Sequence, residues 1–176
     1  MESLDKIKIL VIDDEEEARL FLKKALERRG YYVMTASDGE EGLEKIKEHE
    51  IEIILCDIIM PKLNGIDFLK KVRHYNLAAQ VIMMTGKASL NNCVEALEYG
   101  ACGYLIKPVE TKDVFDLILT AERNIEEEKE ILKKVIGKLS IEQIDTILKE
   151  VSKSGKDVDK KRSIIKKTLQ NPKEKV

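Results

Sequence analysis

The chain has 176 residues, 43% of them hydrophobic, and a formal net charge of -2, enough for one ordinary domain of about 100 to 150 residues with something added. So small a charge favours neither nucleic acid nor a membrane surface as partner, and no apolar run approaches the roughly 20 residues needed to span a bilayer. Cys56, Cys93 and Cys102 form no CxxC or Cys/His cluster, which leaves a zinc site or disulfide framework little support and makes a reduced, cytoplasmic protein the expectation.

From residue 7 to about 123, short apolar runs alternate with segments of helical period, the signature of a parallel sheet with crossover helices. The runs are residues 7–12, 32–36, 52–56, 80–84 and 102–106. After the first, Ala18, Phe21, Leu22, Ala25 and Leu26 make one helix stripe, closed by Arg28, Arg29 and Gly30. Ser37 and Asp38 precede a helical segment with Leu43 and Ile46, and Asn64-Gly65 precedes one with Ile66, Leu69 and Val72. Leu90, Val94 and Leu97 lead to Gly100. Thr111 is placed to cap a fifth helix carrying Val114, Leu117, Ile118 and Ala121.

In such a sheet, ligands bind beyond the carboxyl ends of the strands, so the strand-to-helix junctions are where chemistry is expected. Asp13-Asp14 follow the first strand, Asp57 the third, Thr85 the fourth and Lys107 the fifth, while the second junction at Ala36-Ser37 offers nothing obvious. Three converging carboxylates demand a cation or protonation, since two of them about 4 Å apart repel by about 4 kcal/mol at an effective dielectric of 20. Mg2+ fits: it takes hard oxygen ligands and bridges carboxylates to phosphate. Asp57 can then act as nucleophile toward a phosphoryl group, with Lys107 neutralising charge and Thr85 hydrogen-bonding a phosphoryl oxygen.

The ordered set Asp13-Asp14, Asp57-x-x-Met60-Pro61-x-x-Asn64-Gly65, Thr85-Gly86 and Tyr104-x-x-Lys107-Pro108 resembles the receiver domain of bacterial two-component response regulators over residues 5 to about 124. The resemblance implies a flavodoxin-like, doubly wound five-stranded sheet in the order 2-1-3-4-5. It also implies phosphorylation of Asp57 by a sensor histidine kinase or phosphotransfer protein. It makes Asp14, Asp57 and the backbone carbonyl of Ile59 direct Mg2+ ligands, with Asp13 acting largely through water. Thr85 and Tyr104 match the family's switch pair, the fourth helix, fifth strand and fifth helix its signalling surface, and the Lys107-Pro108 bond is expected to be cis. Ile59 offers no polar side chain to position a hydrolytic water, and Lys87 either reaches the phosphoryl group or points into solvent.

Taken singly, each of these residues has a plainer reading: acids at strand ends as solvated loop residues or caps, Thr85 as strand propensity, Tyr104 as core, Lys107 as surface. Their joint occurrence, one set per strand, reverses that balance. Cys56 reads as a small core residue, and His49 and His74 as charges at helix C-termini. An aspartate-nucleophile phosphohydrolase is disfavoured because the acid/base position two residues after Asp57 is Ile59.

Residues 1–124 carry 17 basic and 23 acidic side chains and residues 125–176 carry 14 and 10, and the latter contain no aromatic residue. We therefore expect a receiver domain over 1–124 and a helical extension over 125–176 for output or dimerisation. Ile118, Ile125, Leu132 and Leu139, with Val114, Ala121 and Val135, form a candidate homodimer seam, interrupted by Glu128; packing of the stripe on its own domain is the alternative. Ser140-x-x-Gln143 reads as a capping box before a further helix, and Lys160, Lys161, Arg162, Lys166 and Lys167 mark a last basic segment. A helix-turn-helix use of that segment would make the protein a DNA-binding transcriptional regulator. It is disfavoured against a downstream protein partner, because the link exceeds the usual turn of about three or four residues.

Overall fold

The computed structural model describes residues 6–139, apart from 76, 77 and 88. Five strands, β1 (Lys8–Ile12), β2 (Tyr32–Ala36), β3 (Ile53–Asp57), β4 (Gln80–Thr85) and β5 (Gly103–Ile106), pair in parallel in the order β2-β1-β3-β4-β5. The helices are α1 (Glu16–Glu27), α2 (Gly39–Glu48), α3 (Gly65–Tyr75), α4 (Leu90–Glu98) and α5 (Thr111–Ile136). This is the expected flavodoxin-like architecture.

Period-two alternation divides the core between the faces of the sheet. Leu10, Ile12, Ile54, Cys56, Val81 and Met83 meet α2, α3 and α4. Ile9, Val11, Ile53, Leu55, Ile82 and Met84 meet α1 and α5 through Leu22, Leu26, Val114, Ile118 and Ala121. With both faces covered, the central strands β1, β3 and β4 are almost continuously buried rather than alternating, while the edge strands β2 and β5 expose Tyr32 and Ile106. Gly30 (φ 94) and Gly100 (φ 80) end α1 and α4 in the left-handed conformation that a Cβ would oppose.

The hydrogen-bond ladder runs past the strand ends into the junctions. The Asp13 N–H donates to the Ala36 carbonyl (3.2 Å), the Ile58 N–H to Met84 (2.8 Å) and the Lys107 N–H to Thr85 (2.7 Å). The backbone beneath each junction is thereby fixed by its neighbouring strand.

Four details depart from the sequence reading. The α4 stripe faces outward, with Leu90 79%, Val94 46% and Leu97 55% exposed, and Ala96 is the buried residue of that helix. Phe21 is half exposed, its ring outside the face formed by Leu22 and Leu26. The carbonyl of Glu110 accepts the first α5 hydrogen bond, from the Val114 N–H (3.2 Å), so Thr111 lies inside the helix rather than capping it. Val114, Ile118, Ala121 and Ile125 are buried against the domain's own sheet, so the first half of the candidate seam is unavailable to a second copy. The expected helix from Ser140 and the basic segment lie outside the described residues.

Candidate functional site

Asp13 and Asp14 leave β1 at the carboxyl edge, and the chain turns at once into α1. Asp13 is fully buried, and its Oδ1 accepts the Glu15 N–H (3.0 Å). Arg19, one turn into α1, donates from Nη1 to the carbonyls of Asp13 (2.6 Å) and Asp14 (3.0 Å), clamping the turn from behind. Asp57 is the last residue of β3 and 4% exposed; its Oδ1 accepts the Ile59 N–H at 3.1 Å. Asn64 caps α3 by accepting the Asp67 N–H (2.9 Å), and the Gly65 N–H donates to the Ile58 carbonyl (2.9 Å). Gly65 is pressed so closely on the acid that an added Cβ would lie 2.2 Å from the Asp57 carbonyl oxygen.

Lys107 enters from the end of β5, ahead of a cis Lys107-Pro108 bond, and spans the acids. Its Nζ lies 2.5 Å from Asp57 Oδ2, 2.7 Å from Asp13 Oδ2 and 4.0 Å from Glu15. Burial alone would depress its pKa, but the close carboxylates of Asp13 and Asp57 outweigh that and raise it, so Lys107 is an ammonium. Burial pushes the Asp13 carboxyl up, against the opposing pull of Lys107 and the Glu15 N–H.

Carboxylate oxygens of Asp13, Asp14 and Asp57 all lie within 4.8 Å of one another, a separation at which each ionised pair repels by about 3.5 kcal/mol at an effective dielectric of 20. One ammonium against three carboxylates leaves two negative charges over, which a divalent cation would balance. Asp13 Oδ2 is buried, and although Lys107 faces it as an ion pair, it has no hydrogen bond of good geometry. A small, oxygen-only acceptor set with an under-satisfied carboxylate suits Mg2+.

The other sequence-selected residues lie on β3, β4 and β5 or just after β3. Thr85 ends β4, fully buried; its hydroxyl donates to the Lys87 carbonyl and accepts the Lys87 N–H, both at 3.2 Å. Tyr104 packs its ring on the α2-α3-α4 side of the core, and its hydroxyl is enclosed without a well-formed hydrogen bond. Burial raises its pKa, with smaller lowering contributions from Ser89 and Thr85 beside it. The Ile59 side chain is 54% exposed. Cys56 is fully buried, and its thiol is pushed well above the ordinary range by burial and the nearby acids, consistent with an inert core residue.

The sequence reading passed over the second junction, yet Asp38 sits there, 5% exposed, paired with Lys62 from the loop after Asp57 at 2.5 Å. It also missed Arg19. An arginine six residues after an acid carries no motif, and its aim at two carbonyls depends on how α1 leaves the loop.

Residues 9–119 match the family model described as the response regulator receiver domain. The chain is 43% identical over 107 residues to the alkaline phosphatase synthesis transcriptional regulatory protein PhoP of Bacillus subtilis, covering 61% of this chain and 45% of that protein. It thus spans under half the length of that relative. Among solved structures, a CheY-like receiver domain from Methanospirillum hungatei matches with a TM-score of 0.66 and 36% identity, covering 72% of this chain and 99% of that one. The CheX-CheY-BeF3-Mg2+ complex from Borrelia burgdorferi matches with a TM-score of 0.62 and 29% identity, covering 65% of this chain and 87% of that one.

Proposed function

Because the chain belongs to the response regulator receiver domain family, we propose that it is a phosphorylation-driven switch rather than an enzyme, with Asp57 as phosphoacceptor. The donor is a sensor histidine kinase or a phosphotransfer protein in the cytoplasm. An Asp57 carboxylate oxygen bonds to phosphorus while the phosphorus–nitrogen bond of the donor phosphohistidine breaks, its electron pair returning to the imidazole. With Oδ1 tied by the Ile59 N–H and Oδ2 facing Lys107, the acceptor is oriented before the donor arrives.

Asp14, Asp57 and the Ile59 carbonyl are the direct Mg2+ ligands in this reading, with Asp13 acting through water. Bound Mg2+ supplies positive charge against the phosphoryl oxygens. Lys107 neutralises charge on the transferred group, and the Thr85 hydroxyl exchanges its bond to the Lys87 carbonyl for one to a phosphoryl oxygen. Tyr104, whose hydroxyl is already enclosed, keeps the inward position beside the space that Thr85 vacates, and the α4-β5-α5 face carries the change to a downstream protein. Leu90, Val94, Leu97 and Ile106, all exposed, support that face as a docking surface. In this scheme residues 1–124 are the switch and residues 125–176 an output or dimerisation extension.

The observation that carries the reading is the single ammonium of Lys107 held between Asp13 and Asp57 over a three-carboxylate cluster. Treatment with acetyl phosphate and Mg2+, followed by mass measurement, is expected to add one phosphate to the wild type and none to Asp57→Asn. Phosphate found on a different side chain would defeat the assignment. PhoP is a transcriptional regulatory protein, but the match covers 45% of it, so DNA binding by this chain gains nothing from the likeness.

A further inference from the structure

The loop between β3 and α3 contains a backbone outlier. Lys62 has φ 63, and it is the one non-glycine residue with positive φ among those described. It is the middle residue of a three-residue turn in which the Leu63 N–H donates to the Pro61 carbonyl at 2.8 Å, the strained hand of the γ-turn. Such a position persists only where the surroundings over-determine it.

Those surroundings are supplied by the start of α2. Asp38 caps that helix, its Oδ1 accepting the N–H groups of Glu40 (2.9 Å) and Glu41 (3.0 Å), while Oδ2 takes the Lys62 ammonium at 2.5 Å. Glu41 in turn accepts the N–H (2.7 Å) and hydroxyl (2.9 Å) of Ser37, so the anchor is itself immobilised. Backbone meets backbone beside the pair: a Cβ on Gly39 would lie 2.8 Å from the Leu63 carbonyl oxygen. At its ends the same loop is tied to the acid, by the Ile59 N–H on Asp57 Oδ1 and the Gly65 N–H on the Ile58 carbonyl.

We propose that the Asp38–Lys62 pair is a latch holding the loop after Asp57 in register with the acidic cluster, so that Asp38 and Lys62 are positioning residues for Mg2+ binding. The inference rests on the reading of the site above. Neither side chain touches the acids; the pair acts through the backbone of residues 58–64, as outer-shell partners orient metal ligands.

The test is calorimetric Mg2+ titration of the full, unphosphorylated chain, with thermal unfolding measured in parallel. Lys62→Met removes the ammonium from a side chain that is 60% exposed and should fold normally. Asp38→Asn keeps an oxygen for the helix cap but loses the charge. Each is expected to weaken Mg2+ binding by about tenfold, the double variant no more than either single one, and Lys62→Arg to restore most of the affinity. Hydrogen exchange at the Ile59 amide should quicken in Lys62→Met. Unchanged Mg2+ affinity in Lys62→Met and Asp38→Asn, even with a lowered unfolding temperature, would reduce the pair to a structural contact and overturn the proposal. Wild-type protein that binds no Mg2+ at all would instead sink the reading of the site, and the latch with it.

Discussion

Gly65→Ala is the sharpest perturbation available, because it places one methyl group against the backbone of the acceptor residue. The new Cβ would sit 2.2 Å from the Asp57 carbonyl oxygen and 2.8 Å from the Ile58 Cα, both main-chain atoms with no rotamer to escape through. Opening the first contact to at least 3.0 Å requires the loop or the start of α3 to move by about 0.8 Å. Over-packing of this kind costs about 1 to 3 kcal/mol, only partly offset by alanine's advantage over glycine in a helix, about 1 kcal/mol at most. Displacing a reacting group by about 1 Å costs on the order of a hundredfold in rate. We therefore expect about 1 to 2 kcal/mol lower stability in urea and roughly hundredfold slower labelling of Asp57 by acetyl phosphate. Gly86→Ala is the control for stability, since a Cβ there meets nothing within 4 Å. A Gly65→Ala protein with wild-type stability and labelling rate would refute the claim that this close approach sets the acid's position.

Lys107→Met should lower stability at neutral pH in the absence of Mg2+ by about 3 to 5 kcal/mol, because it strips the partner from the buried carboxylates of Asp13 and Asp57. Added Mg2+ should recover more stability in the variant than in the wild type; equal recovery in urea titrations would contradict the shared-cation argument. The Lys62 hydrogen bond, followed by that from the Glu41 N–H, holds the Asp38 carboxyl below its usual range. Its contribution is therefore complete above the unfolded carboxyl pKa of about 3.9 and fades as pH falls from there through the depressed folded value. Unfolding measured between neutral and strongly acid pH should consequently fall less steeply for Asp38→Asn than for the wild type. Burial, and then the neighbouring Glu122 carboxylate, push the Tyr31 hydroxyl up to about 12. Its share of stability is present below about pH 10 and lost as pH rises toward 12, and phenolate absorbance should detect an earlier ionisation in Glu122→Gln.

Much of the fold is local information. A strand covered on both faces must be apolar throughout, and the helices between must repeat near 3.6, so β1 to β5 and the crossovers are readable from Ile9-Leu10-Val11-Ile12 and its counterparts. That parallel strands put their carboxyl ends on one edge is equally general, which is why the sequence alone groups Asp13, Asp14, Asp57 and Lys107. Periodicity is silent on which side of a helix a stripe faces. Leu90, Val94 and Leu97 have the spacing of a core face, yet they point to solvent because Ala96 occupies the contact with the sheet. Likewise Val114, Ile118, Ala121 and Ile125 satisfy a heptad and a packed crossover helix equally well, and burial against the sheet selects the second.

What tertiary structure alone decided is the support of the site. Arg19 aims at two carbonyls, Asp38 reaches a lysine 24 residues away, and Lys62 holds a left-handed turn. Each depends on the relative placement of loops from different strands, a quantity with no counterpart in spacing along the chain. Residue types and their order determine which groups can meet at the edge of the sheet. The packing of α2 against the β3-α3 loop, down to the missing Cβ of Gly39, determines how firmly they are held there.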